Sequence, residues 1–78
     1  MKYNKIFNTA FLIIENQLNK YGNTIKNYDS SYRIIDDNKI KVTLKNYYEK
    51  MFFYAELKNN IVEVFSSDNN YINSETLK

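Results

Sequence analysis

The hydrophobic repeat of this chain changes once, and the change falls just after its only glycine, Gly22. Before that point Tyr3, Ile6, Phe7, Ala10, Phe11, Ile14, Leu18 and Tyr21 recur at three-and-four spacing. At about 100° per residue they make one apolar stripe along a helix. Lys5, Asn8, Glu15, Asn16 and Asn19 fill the opposite side, with Leu12 stranded among them. The spacing predicts a helix over residues 3–21. Glycine takes the left-handed C-cap conformation without a Cβ clash, so Gly22 marks the helix end.

Beyond a polar link containing Asn23, Asn27, Asp29 and Ser30, the period becomes 2. Tyr32 and Ile34 alternate with polar residues, then Ile40, Val42 and Leu44 alternate with Lys39, Lys41, Thr43 and Lys45. Alternation of this kind marks strands with one buried face. Strands are expected near 31–36, 39–46, 51–58 and 61–66. A three-residue loop at 37–39 would set Ile34 opposite Val42 and Tyr32 opposite Leu44, because a two-residue loop would turn Arg33 toward the core. A turn centred on Glu49 and Lys50 would pair Leu44 with Ala55 and Val42 with Leu57. It would also set Lys45 against Tyr54 and Thr43 against Glu56. Asn59 and Asn60 suit a two-residue type I′ turn, which pairs Leu57 with Val62 and Ala55 with Val64.

At 78 residues the chain has room for one core. The expected fold is α+β: one N-terminal amphipathic helix packed on one face of a four-stranded antiparallel meander. The inner face would carry Ile34, Val42, Leu44, Phe53, Ala55, Leu57, Val62 and Val64. Residues 1–65 form the domain, and 66–78 read as a polar tail, frayed or locally helical. In element order alone this is similar to cystatin-like small folds, a likeness that implies no function.

Composition removes several chemistries. Histidine and cysteine are both absent, which takes away the commonest general base, the thiolate nucleophile and the usual zinc ligands. No phosphate loop, nucleophile elbow or calcium-loop pattern is present, although Asp36-Asp37-Asn38 and Asp68-Asn69-Asn70 are rich in oxygen ligands. No catalytic residue, metal ligand or cofactor is expected. The net charge of +2 demands no nucleic-acid partner. Asparagine, lysine, isoleucine, tyrosine and phenylalanine supply 45 of the 78 residues. Their AT-rich codons account for the asparagine content without a prion-like reading. The run from Ile6 to Ile14 is interrupted by Asn8 and Thr9 and is too short to span a membrane, so a cytoplasmic chain with no membrane contact is expected.

Two constellations remain. The Asn59-Asn60 register sets Glu56 opposite Glu63, where like charges repel. A dyad or a divalent cation would exploit that proximity, and solvation beside Lys41, Lys45 or Lys58 is the ordinary account. The second is the outer sheet face, where Phe52, Tyr54, Phe65, Ile61 and Tyr47 fall beside Lys45, Lys41 and Lys58. Aromatic patches of this kind mark interfaces. The expectation is a non-catalytic module that occupies a surface of a larger protein. Its size and composition match accessory proteins of phages and mobile elements, including inhibitors of host defence. The alternative is a single-stranded nucleic-acid-binding domain, and a third reading is a homodimer through the same face. Against these stands the ordinary account, in which the tail folds over the patch through Tyr71 and Ile72, or the aromatics only reflect strand propensity.

Overall fold

The computed structural model describes residues 1–78. Helix α1 spans Lys2–Lys20, and a short 3-10 turn, Ile25–Asn27, leads into five strands. These are β1 (Asp29–Asp36), β2 (Lys39–Lys45), β3 (Lys50–Lys58), β4 (Ile61–Ser66) and β5 (Tyr71–Thr76). They form one antiparallel sheet in the order β1-β2-β3-β4-β5. The α+β class and the meander hold, with one strand more than expected.

The helix ends as its glycine implies. Gly22 has φ +74°, its N–H donates to Asn19 O at 3.2 Å, and Asn23 N–H donates to Leu18 O at 2.9 Å. This pair of bonds is a Schellman motif, which satisfies carbonyls that the helix terminus would leave unpaired. Tyr21, assigned to the stripe, is 78% exposed because the chain turns away there. Thr9 and Ile13, outside the predicted stripe, are buried.

Ile6, Ala10, Ile13, Ile14 and Leu18 pack on Ile40, Val42, Leu44, Phe53, Ala55, Val62 and Val64, with Ile25 and Tyr28 closing one end. Burying such an aliphatic side chain contributes about 1.5–3 kcal/mol, and this one core must carry a domain that has no disulfide. Leu57, Phe11 and Phe7 pack at its margin. Ile34 does not join it. The helix lies over β2 to β5, so on edge strand β1 Ile34 remains 50% exposed.

Both early registers need correction. In the first hairpin Tyr32 faces Val42 and Ile34 faces Ile40, with a bulge between Ile34 and Asp36. The turn is the shorter one, and the bulge restores the parity that a two-residue loop would have lost. In the second hairpin Leu44 faces Met51, Val42 faces Phe53 and Ile40 faces Ala55. Each partner lies four residues from the expected one. The cause is Asn46, whose Oδ1 accepts the N–H groups of Tyr48 (2.8 Å) and Glu49 (2.9 Å) while its own N–H donates to Glu49 O (2.9 Å). These bonds close a loop over 46–49, so Lys50 is a strand residue. An even shift preserves both faces.

The third hairpin is as expected: Asn59 and Asn60 take φ +50° and +66°, and Leu57 faces Val62 while Ala55 faces Val64. The polar tail is not frayed or helical. Asn69 adopts φ +66°, Ser66 N–H donates to Asn70 O at 2.9 Å, and β5 pairs along β4. Backbone pairing to an open edge orders a segment with little apolar surface of its own.

Candidate binding face

Alternation on β2, β3 and β4 sends Lys41, Thr43 and Lys45, then Phe52 and Tyr54, then Phe65 and Ile61 away from the helix. Phe52 faces Thr43, Tyr54 faces Lys41 on one side and Phe65 on the other, and Ile61 faces Lys58. The structure thus brings together Phe52, Tyr54, Phe65 and Ile61 on one face, with Lys45 at its edge. It does not bring Tyr47 there. That side chain sits in the 46–49 loop, 94% exposed, against Tyr48 at 5.3 Å.

The tail leaves the face open. As β5 it extends the sheet sideways, with Tyr71 edge-on to Phe65 at 5.9 Å, while Ile72 and Leu77 pack against the core. Phe52, Tyr54 and Phe65 are half-buried by their own neighbours. Lys41 Nζ stands 4.1 Å over the Phe52 ring and Lys50 Nζ 5.4 Å, and Lys39 Nζ is 5.4 Å over Tyr54. Cation–π contacts at such exposure contribute about 0.5–1 kcal/mol each. They hold ammonium groups directly on the aromatic surface.

Charge on this face is divided. Ser31, Arg33, Lys41, Thr43, Lys45, Lys50 and Phe52, with Tyr32, line a shallow depression of about 380 Å³. Four cations border it and no carboxylate does. Arg33 lies directly opposite Lys41, and Lys45 directly opposite Lys50. Asp29 is the other register neighbour of Lys45, yet the sole ion pair within 4.0 Å is Lys58 to Glu63 at 3.7 Å. Glu49, next to Lys50, is engaged elsewhere: its Oε2 accepts the Tyr28 hydroxyl at 2.9 Å. Carboxylates gather instead at the β3–β4 end, where Glu56 faces Glu63 as the turn register implies. Lys58 beside Glu63 and Lys39 opposite Glu56 offset that repulsion. No three His, Cys, Asp or Glu side chains converge anywhere.

No protein-family model matches the chain, and no curated protein or solved structure shows detectable similarity to it. The site therefore stands on its own geometry. Arg33 and Lys50 are the members of the basic depression that sequence reading passed over. A turn centred on Glu49 and Lys50 takes Lys50 out of the strand, and the Asn46 side chain, able to close a loop by accepting two N–H groups, is the sequence signal for the observed register. No helix is long and apolar enough to cross a membrane.

Proposed function

We propose that this protein is a small non-catalytic binding module whose working surface is the outer sheet face, laid against a larger macromolecule. The observation that supports this best is the row Phe52, Tyr54 and Phe65. These side chains sit on adjacent strands, face away from α1, and have no element of the chain over them. Aromatic side chains supply large contact area at low entropic cost and dominate binding energy where they occur. A module of this kind needs no nucleophile or general base, and the chain has neither histidine nor cysteine.

Two partner classes follow from two halves of the face. The Tyr54, Phe65 and Tyr71 side suits an apolar patch on a protein or complex, the mode of a small inhibitor of the kind phages and mobile elements encode. The Arg33, Lys41, Lys45 and Lys50 side suits a polyanion, and its lack of any bordering carboxylate favours single-stranded nucleic acid as the second reading.

Affinity capture with the intact chain beside its Tyr54→Ala and Phe65→Ala variants tests the face itself. Each variant should lose about 2 kcal/mol or more of affinity for a captured partner while melting closer to the parent than Leu57→Ala does. Unchanged affinity with a large loss of stability would mean that these rings serve the fold alone.

A further inference from the structure

Two like-charge pairs lie on one face of the sheet, and the fold leaves both without an ionic partner. Arg33 and Lys41 are opposite each other across β1 and β2, and Lys45 and Lys50 are opposite across β2 and β3. Directly opposed like charges destabilise a sheet, so in isolation the arrangement weakens the domain. Lys41 and Lys45 are four residues apart on β2, which separates the two pairs by about 13 Å at strand rise. A single small anion cannot engage both pairs. A ligand carrying a row of linked negative charges can.

Phe52 lies between the pairs, opposite Thr43, with the Lys41 ammonium 4.1 Å over its ring. A face of that ring, not only its edge, is therefore turned toward the depression. The ammonium above it is held by a contact weak enough to exchange for a phosphate. Stacking surface flanked by cations is what a single strand requires, because bases seat on aromatic faces while phosphates track the basic groove. A polyanion without rings, such as polyglutamate, would use the cations but would have no aromatic group to stack on Phe52.

Resting on the reading of the outer face as the working surface, we infer that the depression formed by β1, β2 and the start of β3 binds single-stranded nucleic acid. Arg33, Lys41, Lys45 and Lys50 take the phosphates, and Phe52 stacks a base. The small overall charge is no obstacle, since four of the eleven cationic side chains converge on one depression.

The test is fluorescence anisotropy with a labelled oligothymidylate of about 12 nucleotides, titrated across about 50 to 200 mM salt. Four neutralised phosphates on a single strand give a slope of log K against log salt of about −2.8. The Lys41→Gln/Lys45→Gln variant should halve that slope to about −1.4. Phe52→Ala should weaken binding about tenfold with little change in slope. Lys20→Gln/Lys26→Gln, which removes the same charge outside the depression, should leave both quantities unchanged. Should the Lys41/Lys45 variant melt early, Arg33→Gln on the exposed edge strand carries the same test, with a slope change of about 0.7. Absence of binding at the lowest salt overturns the inference. So does equal competition by polyglutamate, or equal loss in the Lys20/Lys26 control. In each of those cases the binding-module reading still stands or falls by the Tyr54→Ala and Phe65→Ala capture measurements.

Discussion

The backbone N–H of Lys78 donates to Thr9 Oγ1 at 3.0 Å, joining residues 69 positions apart. The same hydroxyl donates to Lys5 O at 2.8 Å, and Thr9 is fully buried. One threonine thus satisfies its own donor inside the helix and anchors the strand β5 segment, which Leu77 N–H to Asn60 O (2.9 Å) holds from the other side. Thr9→Val keeps the shape and removes the hydroxyl. It should cost about 1 kcal/mol in urea unfolding and abolish hydrogen-exchange protection of the Lys78 amide, whereas Thr9→Ser should retain that protection. Equal protection in all three proteins would show that the contact does not hold the tail.

The two faces of the sheet should separate by stability. Ile14 is fully buried, and Ile14→Ala leaves a cavity under β2 to β4 that should cost about 2–5 kcal/mol. Leu57→Ala and Phe11→Ala act at the margin of the core and should cost less than Ile14→Ala. Tyr54→Ala and Phe65→Ala should cost least, since both rings lie outside the core on the outer face and are partly exposed. Thermal melts of the five variants check the order, and a melt of Phe65→Ala below that of Ile14→Ala would reverse it.

Tyr28 is the one group whose ionisation the fold visibly moves. Burial, and then the Glu49 carboxylate that accepts its hydroxyl proton, push its pKa above the ordinary 10.0, while the bond from Asn23 Nδ2 (2.6 Å) acts the other way. With the folded value above the unfolded one, the contribution to stability is whole below pH 10 and is lost as pH rises through the folded pKa. Tyr28→Phe should therefore unfold with a shallower decline in stability above pH 10 than the parent. Parallel pH profiles for the two proteins would show that the phenol is not held in its neutral form.

Glu56 and Glu63 face each other with only one of them paired, to Lys58 at 3.7 Å. Glu56→Gln relieves this repulsion but also gives up the attraction of Lys39 on the other side. In a Lys39→Gln parent, where only the repulsion is left, it should therefore stabilise the domain by about 0.2–1 kcal/mol at low salt. Screening should erase most of the gain in 1 M salt, where the Debye length is about 3 Å. A Tm difference between parent and variant that ignores salt would point to packing as its source.

Much of the fold was legible because it rests on local rules. Helix and strand follow from a period of 3.6 giving way to 2, and the ends of α1 and of the third hairpin follow from Gly22, Asn59 and Asn60, the residues that accept positive φ. The outer-face residues Phe52, Tyr54, Phe65 and Ile61 were legible for the same reason, since alternation sorts faces whatever the register. An even slip of four residues between β2 and β3 changed every partner and moved no side chain to the other face.

What sequence alone determined, for α1 and for β1 to β4, is therefore parity: which residues are helical, which extended, and which side of the sheet each one takes. Tertiary structure decided adjacency. Ordering of β5 depended on an unpaired edge of β4, and burial of Thr9 on the tail that returns to it. The gathering of Arg33, Lys41, Lys45 and Lys50 around Phe52 depended on where two hairpin loops close. Side-chain period is a property of the backbone and can be read one residue at a time. Cross-strand neighbours depend on the summed geometry of bulge, loop and edge, and a loop centre displaced by two residues gives each strand residue a partner four positions away.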